Sequence, residues 1–171
     1  LDNTTPEKTR VIKETTAYLL TDAMMDVVTE GTGTAANTYD GITVAGKTGT
    51  TSDSHDLWFV GYTPYLTAGI WLGYDQNYEM EGDLSESEHS ALWATIMRRI
   101  NETFGYESAS FEMPESIGTR TVCSKSGKLV GTEHCSGITE YFDIDALPSG
   151  YCTDHYVAEI CSKCNKLAGE N

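Results

Sequence analysis

Apolar residues recur at steps of three and four from Ala17 through Leu20, Ala23, Met24 and Val27 to Val28. This predicts an amphipathic helix with Thr15 or Thr16 as its hydroxyl cap and Gly31 as its stop. The stretch from Gly31 to Ala36 reads as a loop in which Gly31 and Gly33 permit backbone angles or close approaches that other residues refuse. The period then changes. Ile42 to Thr51 suits a pleated surface through Ile42, Val44 and its threonines, while Gly46 and Gly49 mark places where something comes close to the backbone. Leu57 to Tyr62 and Leu66 to Tyr74 are two further apolar runs, joined by Thr63-Pro64-Tyr65, which is short enough for a hairpin. Three sequential antiparallel strands are expected. After an acidic, loop-like stretch from Gln76 to Glu88, Leu92, Trp93, Ile96, Met97 and Ile100 form one face of a second helix. It ends near Gly105 and covers one side of the sheet.

Residues 106–116 hold Pro114 and small polar side chains and read as a linker, dividing the chain into 1–105 and 117–171. Beyond it, Arg120 to Val122, Leu129 to Thr132 and Thr139 to Ile144 predict short strands around Ser126-Gly127 and Ser136-Gly137 turns. The class expected is α+β, an antiparallel sheet packed against helices, with a small cysteine-rich C-terminal appendage.

At 171 residues the chain can bury a core, and its net charge of -15 argues against binding nucleic acid through phosphates. No run approaches the roughly 18 apolar residues of a membrane helix, and Leu1 to Arg10 is polar, so any membrane anchor is expected outside this chain. All five cysteines fall at or after Cys123. Clustered in a short polar segment, they predict disulfide staples, with Cys123 and Cys135 as the preferred pair, and an extracytoplasmic setting. The alternative is a metal site formed by Cys152, His155, Cys161 and Cys164; no cofactor is otherwise expected. In the same tail Tyr141, Phe142, Tyr151 and Tyr156 fill a small core or stack on sugars. The second reading would make the tail a module that binds cell wall or a partner protein.

The chemistry concentrates at Ala45-Gly-Lys-Thr-Gly-Thr-Thr51. On a strand, Thr48 and Thr50 share one face and Lys47 takes the other, but the twist of an edge can bring Lys47 round into a cleft. A crowded ammonium there polarises a hydroxyl or holds a carboxylate. Gly49 leaves room for an extended peptide to lie along the edge, and the Thr50 N–H is a natural oxyanion donor for acyl transfer. Ser52, Ser54 and His55 read as loop residues rather than a catalytic pair.

A Lys-Thr-Gly triplet is one of three signatures of the serine enzymes that handle penicillin. Taken with Gly31-Thr-Gly33, Asp56 to Pro64, Gly69-Ile-Trp-Leu-Gly-Tyr-Asp75, Val122 to Leu129 and Thr139-Glu-Tyr-Phe142, it gives the chain a specific likeness. The chain resembles the C-terminal part of the transpeptidase domain of a class A, bifunctional penicillin-binding protein, together with the short tail that follows such domains. The resemblance implies a partial serine β-lactamase/penicillin-binding-protein-like fold. It also implies a parent enzyme, carrying a glycosyltransferase as well and anchored in the plasma membrane, that cross-links peptidoglycan stem peptides ending in D-Ala-D-Ala and is acylated by β-lactams. Carried over, Lys47 and Thr50 are catalytic, and Thr48, Gly49, Thr50 and Thr51 bind substrate. No Ser-x-x-Lys and no Ser-x-Asn occurs in the chain, so the nucleophile is missing and the piece alone is expected to be inactive. The resemblance also implies two earlier strands beside residues 66–74, whose exposed edge is expected to pair with a second copy.

Overall fold

The computed structural model describes residues 9–76, 78–80 and 87–155. They divide into two units between Pro114 and Glu115.

In the first unit, helix α1 spans Glu14–Thr29 and packs on strand β1, Ala45–Thr50. The helix begins before its expected cap. Lys13 holds the N-cap position without a side-chain hydrogen bond, and Thr15, buried in the first turn, is already too far inside the helix to cap it. Val28 is buried beneath the helix, whereas Leu20, assigned to the inner face by periodicity, points outward at 56% exposure. Beyond α1 the amides of Glu30 and Gly31 both donate to the Asp26 carbonyl and that of Gly33 donates to the Val27 carbonyl. The chain is thereby folded tightly back toward the sheet.

Strands β1, β2 (Asp56–Tyr62) and β3 (Thr67–Gly73) form an antiparallel sheet in that order. Register places Lys47 opposite Val60, Thr48 opposite Phe59 and Phe59 opposite Ile70. Along β2 burial alternates: Leu57 and Phe59 face the core, Trp58 and Val60 face out. The hairpin closes on Thr63, whose N–H donates to the Leu66 carbonyl while its hydroxyl oxygen accepts the Tyr65 and Leu66 amides. At Gly46 a β-carbon would lie 2.6 Å from Phe59 Cζ and 2.9 Å from Gly61 Cα, so only glycine lets these two strands close over the phenyl ring.

Helix α2, Glu88–Phe104, ends at Gly105 with φ 67 and lays Trp93, Ala94 and Met97 on the sheet, while Leu92 and Ile96 face outward. Val28, Ala36, Val44, Phe59, Trp93, Ala94 and Met97 make the core. Asp40 ties the preceding loop to α2, accepting from Asn101 Nδ2 (2.7 Å), Thr38 Oγ1 (2.7 Å) and the Ile42 amide (3.1 Å). Burial works to raise its pKa, but these donors outweigh it and hold the carboxyl below its ordinary value.

Strand β1 starts three residues later than the pattern from Ile42 suggests. Thr43 N–H donates to the Ala109 carbonyl, and Ala109 N–H to that of Gly41, so this stretch pairs with a different segment. That segment lies in the expected linker, and it is not a free tether. Tyr106 stacks on Tyr65 at 4.4 Å, Ser108 Oγ donates to the Gly41 carbonyl, and Phe111 meets Tyr62 edge-on. Residues 106–111 are therefore stitched to the first unit, which reaches Pro114.

The second unit is built on a two-stranded antiparallel sheet of β4 (Ile117–Cys123) and β5 (Gly137–Asp143). The strand expected at Leu129 to Thr132 reduces to isolated bridges from Leu129 to Val122 and Tyr151. Its buried apolar residues among those described are Ile117, Val122, Cys123 and Cys152, a small core for an independent unit.

Candidate functional site

Strand β1 is an edge of its sheet among the described residues. Thr51 N–H donates to the Asp56 carbonyl, in continuation of the β1–β2 register. Because hydrogen-bonded positions alternate along an antiparallel pair, Gly49 and Lys47 direct their backbone groups toward β2, and Thr48 and Thr50 direct theirs outward. The Thr50 amide thus lies on the open side. Side chains alternate too, so Thr48 and Thr50 share the face of Phe59 and Leu57.

Thr32, Thr48, Thr50 and Ser87 line a groove of about 330 Å³ at this edge. Thr32 Oγ1 and Thr48 Oγ1 are 2.8 Å apart. Lys47 leaves β1 on the opposite face, yet its Nζ curls round to donate to the Thr48 carbonyl (3.0 Å) and to Thr48 Oγ1 (3.2 Å). An ammonium and two hydroxyls therefore stand together beside an outward-facing strand backbone. The set suits an extended peptide that ends in a carboxylate, with strand pairing for its main chain and donors for its anionic end.

A family model described as the penicillin binding protein transpeptidase domain matches residues 2–101. The chain belongs to the penicillin-binding protein transpeptidase family. A second model, the penicillin-binding protein 1A C-terminal domain, matches residues 113–157. Penicillin-binding protein 1A of Clostridium perfringens is 35% identical over 162 residues, covering 91% of this chain and 19% of that protein. Penicillin-binding protein 1A/1B of Bacillus subtilis is 33% identical over 188 residues, 98% of this chain and 20% of its own length. The chain therefore spans about a fifth of the length of these relatives. Among solved structures, penicillin-binding protein 1A from Haemophilus influenzae superposes with a TM-score of 0.67 at 22% identity, covering 84% of this chain and 22% of that one. The expected partial penicillin-binding-protein-like α+β fold is the one observed.

Within this transpeptidase piece the structure brings Thr48, Thr50 and Lys47 to one edge and places Thr51 elsewhere. Thr51 Oγ1 accepts the Asp56 amide and donates to Asp56 Oδ2, closing the loop between β1 and β2. Asp56 Oδ1 also takes the Trp71 Nε1–H at 2.8 Å. At Gly49 a β-carbon would touch only Trp58 Cβ, at 3.4 Å. Ser52–Ser54 form a tight turn with Asp53 and Ser54 at positive φ. Thr32 and Ser87 are the groove residues that strand reasoning passes over, because neither lies on a strand; the Gly31-Thr-Gly33 likeness is a signal for Thr32 alone. No described helix is long and apolar enough to cross a membrane.

In the C-terminal unit the expected Cys123–Cys135 disulfide is not formed: Cys123, Cys135 and Cys152 all carry free thiols. All three instead converge on His155 Nδ1, at 3.6, 3.6 and 3.3 Å respectively. The metal alternative shared two of these residues, Cys152 and His155; its other members, Cys161 and Cys164, lie outside the described residues. A hydrogen bond with the Gly131 backbone, with help from Thr132 and His155, outweighs burial and brings the Cys135 thiol down to about 6. The Lys125 backbone leads a similar lowering at Cys123. Tyr141 and Tyr151 are exposed and Phe142 half-buried, and Tyr156 lies outside the described residues.

Proposed function

We propose that the chain supplies the substrate-binding part of a serine-type D-Ala-D-Ala transpeptidase of the cell envelope. Its β1 edge would receive the end of a stem peptide or a β-lactam. The nucleophilic serine of the parent enzyme forms an ester with the penultimate alanine carbonyl carbon and expels the terminal D-alanine. An amine from a neighbouring strand then attacks the ester, forming the cross-link and returning the serine. In this reading Lys47 and the hydroxyls of Thr48 and Thr50 hold the terminal carboxylate, Thr32 orients Thr48, and the Thr50 amide completes the oxyanion hole. The observation that carries it is the Thr32–Thr48–Lys47 cluster beside an outward-facing strand backbone.

The chain contains neither Ser-x-x-Lys nor Ser-x-Asn. On its own it is expected to form no acyl-enzyme with a fluorescent penicillin, read as the absence of a labelled band after denaturing electrophoresis. A band abolished by substituting a single serine would overturn that expectation.

The β3 edge extends the same reading. Trp71, 40% exposed, and half-buried Ile70 and Leu72 make β3 an apolar terminal strand among the described residues. Such an edge pairs readily with another chain. The isolated chain is expected to self-associate through it, with sedimentation equilibrium showing mass rising with concentration. A monomer at all concentrations refutes the pairing and leaves the assignment of the β1 groove untouched.

A further inference from the structure

The cluster on the second unit serves no step of acyl transfer, and four side chains from separated positions do not meet by chance of spacing. Cys123 ends β4, Cys135 precedes β5, and Cys152 and His155 come from the loop after it. Their ligand atoms all lie within 4.8 Å of one another.

We propose that Cys123, Cys135, Cys152 and Nδ1 of His155 form a tetrahedral structural zinc site. Zinc binds thiolate sulfur at about 2.3 Å and imidazole nitrogen at about 2.0 Å, so a tetrahedron sets sulfur and nitrogen about 3.5 Å apart. The three sulfur–nitrogen separations here are 3.6, 3.6 and 3.3 Å. Three sulfurs and one imidazole complete a closed set, with no position left for water or substrate, which makes the site structural. Soft thiolates favour zinc over magnesium or calcium.

The surroundings are those of ligand sulfurs. Thr132 Oγ1 stands 3.7 Å from the Cys135 sulfur, and the chain turns tightly just after Cys123. The turn itself is fixed by Gly127 N–H to the Cys123 carbonyl and Cys123 N–H to the Lys128 carbonyl. Cys152 N–H donates to the Leu129 carbonyl, and Thr132 Oγ1 donates to the His155 carbonyl, so each ligand-bearing loop is held by its neighbour. A disulfide would use two of these thiols and leave the third, with the imidazole, in a crowded polar knot. A metal uses all four, releasing the thiol protons to solvent and reinforcing the small apolar core seen among the described residues of this unit.

The test takes the whole chain, purified without reductant or chelator, and measures bound zinc by elemental analysis and thiol reactivity by alkylation and mass spectrometry. The expected result is one zinc per chain, with Cys123, Cys135 and Cys152 alkylated only after a chelator removes it. Cys135→Ser should weaken zinc binding at least tenfold. His155→Cys, which keeps four tetrahedral ligands, and the double substitution Cys161→Ser with Cys164→Ser should both retain the metal. A zinc-free chain with Cys123 joined to Cys135 would overturn the site. So would loss of zinc from the Cys161/Cys164 variant alongside its retention by Cys135→Ser.

Discussion

Replacing Lys47 by methionine in the full-length protein that carries this chain is expected to slow acylation by penicillin about tenfold to a hundredfold. The stability of the domain should hardly change. Methionine keeps the length of the stem and removes only the ammonium, whose Nζ stands 3.2 Å from Thr48 Oγ1 at the groove. A hydrogen bond to a charged group contributes about 1.5–3 kcal/mol, and each 1.36 kcal/mol is a factor of ten in rate. Lys47 is exposed, and substitutions at such positions usually stay within about 0.5 kcal/mol in stability. Stopped-flow labelling and thermal melts read the two effects separately. An unchanged acylation rate would reduce Lys47 to a surface cation and take the carboxylate grip from the proposed function.

Trp93→Ala carries the largest expected cost in stability. The indole is fully buried, meets Phe59 edge-to-face at a centroid distance of 5.2 Å, and donates Nε1–H to the Ala68 carbonyl at 2.9 Å. From α2 it thus packs on β2 and bonds to β3. Truncating a buried tryptophan costs about 3–5 kcal/mol, against about 5–15 kcal/mol for a whole domain. The variant should lose most of its cooperative melt. Trp93→Phe keeps a ring and loses the indole N–H, while the Ala68 carbonyl keeps its ladder partner Gly61, so about 0.5–1.5 kcal/mol is the expected loss for that bond. Urea denaturation orders the three proteins; a Trp93→Ala midpoint equal to the parent's would mean the helix is not what seals this sheet.

The two helices and the three-strand order were legible because each rests on local periodicity, and the Phe59 face follows from alternation alone. What long-range pairing decides was not. Strand β1 loses Ile42 to Val44 because residue 109 returns to pair there, and no pattern within 42–51 records that visit. Leu20 fits the apolar spacing of α1 yet faces out, since a stripe in sequence does not say how wide the covering surface is. The lysine triplet was readable as a motif, but the partner of Thr48, Thr32, is supplied by a loop sixteen positions away whose placement follows from the tight return after α1. The meeting of Cys123 and Cys135 with Cys152 and His155 is not legible in the sequence for a related reason. Spacing pointed to pairs, whereas the fold of the connecting loops brings three thiols and an imidazole to one point.

The return of residues 106–111 over the first unit sets where this protein tolerates cutting. A protease or an engineer who severs the chain just after α2, at Gly105, removes the acceptor of the Thr43 amide, the donor to the Gly41 carbonyl and the ring that shields Tyr65. The excised first unit would carry raw main chain beside its own core. Scission past Pro114 spares all three, so the seam a proteolytic digest finds should lie there and not at the helix end.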